Sequence, residues 1–123
     1  MPEPERIRAA VRRYLDAVAT GTAADIAALY AENATLEDPV GSPSHTGRAA
    51  IEKFYRSLES AHRSTELISL RVSGDSAAFG FRVITETGDQ TITVEPIDVM
   101  TFDEDARITS MRAFWSAEDI SFG

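Results

Sequence analysis

Apolar residues recur every three or four positions through the first half of the chain, which is the spacing of amphipathic helices. This pattern predicts three helices, over residues 5–19, 24–31 and 48–61. Each helix has one apolar stripe, and the stripes consist of Ile7, Ala10, Val11, Tyr14, Leu15 and Val18, then Ile26, Leu29 and Tyr30, then Ile51, Phe54, Tyr55 and Leu58. We expect Gly21 to end the first helix in a left-handed conformation and Thr22 to cap the second.

The second half alternates apolar and polar residues at every other position, which is typical of β-strands with one buried face. The predicted strands cover residues 35–38, 66–72, 77–85, 91–102 and 107–116. Side chains that share one face of a strand are Ile68, Leu70 and Val72 in the second strand and Ala77, Phe79, Phe81 and Val83 in the third. In the last strand, one face has Thr109, Met111, Ala113 and Trp115, and the opposite face has Ile108, Ser110, Arg112 and Phe114. Glycine and aspartate turns join the last four strands into an antiparallel meander. Three helices and this meander indicate one α+β domain over residues 1–123, with the helices on one face of a curved sheet.

The strand over residues 91–102 carries an acid in an apolar row. Counted by twos, one face consists of Ile92, Val94, Pro96, Asp98, Met100 and Phe102. A carboxylate on a buried face is costly and usually takes up a proton, so Asp98 is a candidate hydrogen-bond donor inside an apolar cavity. Pro96 is typical of a bulge or an edge position, and a register break there would instead turn Asp98 out to solvent. The pattern leaves both possibilities open.

Other polar groups occupy apolar positions or the ends of elements. Tyr14, Tyr30 and Tyr55 lie in the helical stripes, where each hydroxyl is either a functional group or a core group bonded to a backbone carbonyl. Asp38 ends a strand before Pro39, as a functional carboxylate or as a cap of local N–H groups. An apolar pocket with a few convergent polar groups is the usual form of a small-molecule site. Two carboxylates in different environments suit proton abstraction next to a carbonyl.

Composition and charge narrow the classes of partner. The chain has 43% hydrophobic and 26% charged residues and a net charge of −8, which argues against nucleic acid or an anionic membrane as a partner. It has no cysteine and no apolar run that could span a membrane, and its acidic, proline-rich start is unlike a signal peptide, so a cytoplasmic location is expected. His45 and His62 have no ligand-like spacing, and no metal or cofactor motif is found.

A set of short motifs in one order and spacing matches a known family over nearly the whole chain. The motifs are Arg13-Tyr14-Leu15, Leu29-Tyr30-Ala31, Ala34-Thr35-Leu36-Glu37-Asp38-Pro39, Gly47-Arg48, Phe54-Tyr55-Arg56, Ile97-Asp98-Val99-Met100, Phe102-Asp103-Glu104 and Ala113-Phe114-Trp115-Ser116. Together they resemble the bacterial Δ5-3-ketosteroid isomerases, within the nuclear transport factor 2-like superfamily. The resemblance implies a cone-shaped, mostly antiparallel curved sheet with three helices packed on it.

The resemblance also implies roles for individual residues. Asp38 would be the general base that carries a proton from C4 to C6 of a 3-oxosteroid, and Tyr14 and protonated Asp98 would form the oxyanion hole. The residues expected to bind the substrate or support the pocket are Tyr30, Tyr55, Phe54, Phe81, Val99, Met111 and Trp115. The family forms homodimers and uses no cofactor.

Other functions on this fold remain alternatives. SnoaL-like polyketide cyclases also combine an acidic group with an apolar cone. Epoxide hydrolases of the limonene type would need an arginine between two aspartates, and the pattern shows no inward arginine at such a place. A binding module for steroids or other small hydrophobic ligands would need neither Asp38 as a base nor a neutral Asp98.

Overall fold

The first helix is the one the sequence predicted. In a computed structural model that describes residues 2–59 and 61–123, helix α1 spans Pro4–Thr20 and buries the whole predicted stripe. Gly21 ends the helix, although its φ of −90° is not left-handed, so that detail of the prediction is wrong. Glycine fits there because a Cβ would lie 2.9 Å from the carbonyl oxygen of Ala17.

The other two helices are shorter than predicted. Helix α2 spans Ala23–Ala27 behind a capping box of Thr22 and Asp25, and it ends early because Tyr30 already pairs with the sheet. Helix α3 spans Arg48–Arg56 and does not extend to residue 61. Leu58 therefore lies beyond the helix and is 45% exposed, while Ser60 falls outside the described residues.

The described strands form one curved sheet. They are β1 Tyr30–Glu37, β2 His45–Thr46, β3 His62–Ser73, β4 Ser76–Thr87, β5 Gln90–Val94, β6 Ile97–Phe102, β7 Ile108–Phe114 and β8 Ile120–Phe122. Their order is β2-β1-β7-β6-β4-β5-β8, with β3 also paired to β4, and a one-turn 3₁₀ helix over Ala117–Asp119 precedes β8. The meander prediction omitted the parallel pair β1–β7 and the strands β2 and β8. The α+β class, with three helices on a mostly antiparallel sheet, is confirmed.

The predicted strand over residues 91–102 is interrupted at Glu95 and Pro96 and forms β5 and β6, which nevertheless keep one register against β4. Val94 of β5 lies opposite Val83 of β4, and Ile97 of β6 lies opposite Gly80 of β4. The two pairs are three positions apart on both sides, so no extra residue is inserted between them. The carbonyl of Pro96 accepts a 3.3 Å hydrogen bond from the N–H of Phe81. Pro96 therefore introduces no bulge against β4, and Asp98 remains inward with 1% exposure. The inward prediction is confirmed, and the register break is wrong.

Two bulges displace residues from the predicted rows. Leu67 lies opposite Phe81 and Ser69 opposite Gly80, so Ile68 is an extra residue and is 53% exposed. The register of β7 against β6 also shifts, at Thr109, and this shift buries Ile108. Both corrections arise because an inserted residue interrupts the alternation of faces, which a period of two cannot reveal.

The core lies between the helices and one face of the sheet. Helix α1 packs on β3 and β4, and α3 packs on α2 and β1. The largest fully buried apolar side chains are Tyr30, Phe79, Ile7, Ile26, Leu36, Ile51, Met100, Ile108 and Met111. None of the helices in the described part of the chain combines the length and hydrophobicity that crossing a bilayer requires.

Candidate active site

A cavity of about 580 Å³ lies between α1, the end of β1, α3 and the inward face of the sheet. Its polar groups include Tyr14, Asp38, Tyr55 and Asp98, which the sequence analysis had selected from separate elements. Aromatic and aliphatic side chains form the rest of the wall, among them Val18, Phe54, Phe81, Val83, Val94, Ala113 and Trp115. The tertiary structure thus brings the candidate base, the candidate neutral acid and two tyrosines into one apolar space.

The three tyrosines form a chain of hydroxyl groups. Tyr55 lies in the middle, with its hydroxyl 3.0 Å from that of Tyr14 and 2.8 Å from that of Tyr30. Tyr14 and Tyr55 line the cavity, whereas Tyr30 is buried behind them. The hydroxyls therefore bond to one another and not to backbone carbonyls, within the part of the chain that is described.

Burial keeps these hydroxyls protonated. Desolvation raises the pKa of all three tyrosines well above the ordinary value, and neighbouring phenols and carboxylates raise it further. Two hydrogen bonds use two of the three protons, so one proton remains for another acceptor. When Tyr30 donates to Tyr55 and Tyr55 donates to Tyr14, the remaining donor is the Tyr14 hydroxyl at the cavity wall.

Asp98 is a buried acid without a complete set of partners. Its Oδ1 atom forms no hydrogen bond within residues 2–59 and 61–123, although the side chain lines the cavity. Desolvation raises the pKa of Asp98 well above its ordinary value, and the negative charge of Asp38 raises it further. A protonated carboxyl has one O–H donor, so Asp98 is suited to donate a hydrogen bond to a ligand oxygen.

Asp38 follows β1 and has a different environment. The indole N–H of Trp115 donates a 2.7 Å hydrogen bond to Asp38 Oδ1. Burial raises the pKa of Asp38, while the Trp115 hydrogen bond and the charge of His45 act in the opposite direction. The turn-capping role belongs to the neighbouring Glu37, whose carboxylate accepts from the N–H of Gly41 at 3.0 Å. Within the described residues, Trp115 is the one hydrogen-bond donor to Asp38, so Asp38 does not cap the turn.

The remaining predicted site residues divide into three groups. Phe54, Phe81 and Trp115 line the cavity, as expected. Met111 is buried in the core at 1% exposure, behind the cavity wall. Val99 lies opposite Ala78 and Arg112, both exposed, on the outward face of β6. Assigning Val99 to the pocket was wrong, because residues adjacent to Asp98 on a strand point to the opposite face.

Several lining residues were missed by the sequence analysis, of which Arg63 is the most polar. Arg63 lies near the start of β3, which begins at His62, whereas the predicted strand began only at residue 66. Residues 63, 65 and 67 are each less exposed than their neighbours in β3, so the alternation continues towards the start of the strand. Residues 63–66 are all polar, so the sequence itself has no apolar alternation there that could have placed Arg63 on the inward face.

Comparison with known proteins relates the sequence and the fold to described proteins. A model of the SnoaL-like domain family matches residues 11–111. The Steroid Delta-isomerase of Nocardioides simplex is 62% identical to the chain over 114 residues, which cover 93% of each protein. The solved structure of SalBIII, an epoxide hydrolase/cyclase-like enzyme in pyran ring formation of the polyether salinomycin, has a TM-score of 0.90 at 29% identity and covers 98% of both chains. RV0760c from Mycobacterium tuberculosis has the same fold, with a TM-score of 0.89 at 20% identity over 100% of both chains.

The burial of Asp98 leads to a test by pH-dependent stability. Burial raises the pKa of Asp98 in the folded state. Its favourable contribution to the free energy of unfolding is therefore complete below the unfolded pKa of about 3.9 and is lost as pH rises towards the folded pKa, by up to about 1.36 kcal/mol per pH unit. Asp98→Asn cannot ionise. We therefore expect it to become progressively more stable relative to the unchanged protein between about pH 5 and pH 8.

Denaturant unfolding of both proteins at several pH values measures this difference. Asp89→Asn makes the same chemical change in an exposed turn and controls for the loss of one carboxylate. A stability difference for Asp98→Asn that stays constant across the window would show that Asp98 is ionised in the folded protein.

Proposed function

The chain belongs to the SnoaL-like domain family and, within it, to the steroid Delta-isomerases, and we propose that it converts 3-oxo-Δ5-steroids into 3-oxo-Δ4-steroids. The observation that carries this proposal is the cavity in which Asp38, Tyr14 and the partner-lacking Asp98 meet. A base, two neutral donors and an apolar wall are what a proton shift next to a ketone requires.

Asp38 is the proposed base of the proton transfer. Its carboxylate removes a proton from C4, and the electron pair of that C–H bond forms a C3–C4 double bond as the C3 carbonyl becomes an enolate. The conjugated dienolate then takes the same proton at C6, which restores the ketone and leaves the double bond between C4 and C5. Burial raises the pKa of Asp38 and so strengthens it as a base, while the Trp115 hydrogen bond holds the carboxylate in place.

Tyr14 and protonated Asp98 are the proposed donors to the enolate oxygen. Both side chains line the cavity at positions held by regular elements, α1 for Tyr14 and β6 for Asp98. Donors that are already oriented in a water-poor site stabilise developing charge more than water does. Tyr55 and Tyr30 extend the hydrogen-bond chain behind Tyr14, so charge on the enolate oxygen polarises all three hydroxyls.

The substrate class follows from the wall of the cavity. Phe54, Phe81, Val83 and Val94 present an apolar surface that fits the fused rings of a steroid. The reaction moves one proton within the substrate, so it requires no redox cofactor. We also propose that the protein is cytoplasmic, as its sequence composition predicts.

The similarity to SalBIII, an epoxide hydrolase/cyclase-like enzyme, makes a cyclase the second candidate. A cyclase would not need the three linked tyrosines together with a neutral Asp98. An epoxide hydrolase of the limonene type requires an arginine between two aspartates. Arg63 does line the cavity, yet within the described ranges it bonds to backbone carbonyls and forms no ion pair with Asp38 or Asp98. A ligand-binding module would not need a base opposite a neutral acid. The isomerase therefore explains more of the site than either alternative.

We further propose a homodimer that forms through the outward face of the sheet. Ile97 of β6 and Phe114 of β7 are paired across the strands and are 53% and 42% exposed. Ile68, displaced by the bulge in β3, adds a third exposed apolar side chain. Adjacent exposed apolar groups of this size are typical of protein interfaces, and a second copy is the partner we propose for them.

Asp38→Asn tests the proposed base. The amide has nearly the same shape but cannot accept the proton, so we expect a loss of turnover beyond the 10²–10⁴-fold that is typical of one acid–base group. The measurement is the growth of conjugated-enone absorbance with 5-androstene-3,17-dione as substrate, with Asp89→Asn as the exposed control. Normal turnover in Asp38→Asn would end the proposed mechanism.

Tyr14→Phe tests the oxyanion hole. Loss of one donor to developing charge should lower kcat by about 10²–10³-fold, or roughly 2.7–4 kcal/mol. Tyr30→Phe removes the hydroxyl at the far end of the chain, two hydrogen bonds from the cavity, so we expect it to lower kcat less than Tyr14→Phe does. An unchanged kcat in Tyr14→Phe would show that Tyr14 acts only as a core residue.

Ile97→Glu tests the homodimer. We expect sedimentation equilibrium to give twice the chain mass of 13.4 kDa for the unchanged protein and a concentration-dependent shift towards the monomer for the variant. Ser73→Glu introduces the same charge at an exposed position outside the patch of Ile68, Ile97 and Phe114. A monomeric mass for the unchanged protein at micromolar concentration would refute the dimer.

A further inference from the structure

Arg63 is the one cationic side chain among the described residues that line the cavity, and it lies far from the candidate oxyanion hole. In the sheet, Arg63 is opposite Thr85 of β4, whereas Asp98 is opposite Phe79 of the same strand. Phe79 and Thr85 are six steps apart along β4, which is about 20 Å at a rise of about 3.3 Å per residue. Arg63 and Asp98 therefore mark opposite ends of the cavity.

The guanidinium of Arg63 is held in place without being neutralised. Its Nε–H donates to the carbonyl oxygen of Val18 at 3.2 Å, and Nη1 donates to the carbonyl oxygen of Leu58. Both acceptors are uncharged, and no carboxylate in the described ranges forms an ion pair with Arg63. By contrast, five other arginines form such pairs, namely Arg8, Arg56, Arg82, Arg107 and Arg112. The Nη2 donors and the positive charge of Arg63 thus remain available to a ligand.

We propose that Arg63 binds a carboxylate at the D-ring end of the steroid substrate, an inference that rests on the proposed isomerase function. With the 3-oxo group at Tyr14 and Asp98, the ring system extends along the inward side chains of β4, from Phe81 past Val83 towards Thr85. The substituent at the opposite end of the steroid then reaches the guanidinium of Arg63. Arg63 is thus a specificity-determining residue for a steroid with an acidic side chain.

Charge favours a carboxylate over a neutral ketone at this end. A guanidinium presents planar paired donors that match the two oxygens of a carboxylate, and hydrogen bonds between charged partners are stronger than those to neutral groups. The chain has a net charge of −8, so most of its surroundings repel an anion. Arg63 has no acidic partner among the described residues, so its positive charge attracts an anion at this end of the cavity.

The experiment compares two substrates that share the 3-oxo-Δ5 nucleus, one with a carboxylic acid on its C17 side chain and one with the methyl ester of that acid. The measured quantity is the ratio of kcat/KM for the acid to kcat/KM for the ester. We expect Arg63→Met to lower this ratio about tenfold, mainly through KM, because a partly exposed charged hydrogen bond is lost. Arg63→Lys should retain part of the preference, since it keeps the charge but not the planar donors.

Arg71→Met is the matched control, because it removes an arginine from an exposed position of the same strand. It should leave the ratio unchanged. If the unchanged protein isomerises the ester but Arg63→Met has the same ratio as the unchanged protein, carboxylate recognition by Arg63 is refuted while the isomerase function stands. If the unchanged protein isomerises neither substrate, the isomerase proposal itself fails.

A binding measurement separates recognition from a structural role of Arg63. Trp115 is the single tryptophan of the chain and lines the cavity, so its fluorescence reports binding of the Δ4 products. Arg63→Met should weaken binding of the acid product about tenfold more than binding of its methyl ester. Equal weakening of both products would show that Arg63 only holds the carbonyls of Val18 and Leu58, and would overturn the proposal.

Discussion

The burial of Asp98 in an apolar row is the constraint on which the site depends. The side chain lies inward because β5 and β6 keep one register against β4 across Pro96. A proline can occupy that position because its carbonyl accepts from Phe81 and its missing N–H is not needed there. Desolvation then favours the neutral acid, which makes a carboxyl group available as a hydrogen-bond donor. Sheet register thus determines the chemistry of one side chain.

The two carboxylates reinforce each other's roles. Negative charge on Asp38 raises the pKa of Asp98, so an ionised Asp38 favours a protonated Asp98 in the same cavity. Trp115 offsets part of the desolvation of Asp38, whereas Asp98 Oδ1 has no such partner among the described residues. The difference between the two environments therefore arises from the depth of burial, from one hydrogen bond and from neighbouring charges, since the charge of His45 lowers the pKa of Asp38 and the charge of Asp38 raises that of Asp98.

The two ends of the cavity differ in polarity and charge. At the end with Tyr14 and Asp98, neutral donors lie among aromatic rings, and the edge of one ring of the Tyr14–Phe79 pair faces the other at 6.3 Å between centroids. At the other end, Arg63 introduces a positive charge in a wall that includes Thr85 and Ser57. A substrate that spans the cavity would meet charge stabilisation at one end and selection at the other.

The sequence alone determined the α+β class, the six buried residues of α1 and the burial of the three tyrosines, because each follows from a local period or a local motif. For Asp98 it left an inward and an outward position open, and the register of β5 and β6 against β4 decided between them. The tertiary structure decided the parallel β1–β7 pair, the bulges at Ile68 and Thr109, the hydrogen bond from Trp115 to Asp38 and the presence of Arg63 in the cavity. These features depend on pairings between distant segments and on inserted residues that interrupt the period of two. Local patterns show which face of an element is buried, but only the packed fold determines which buried groups meet.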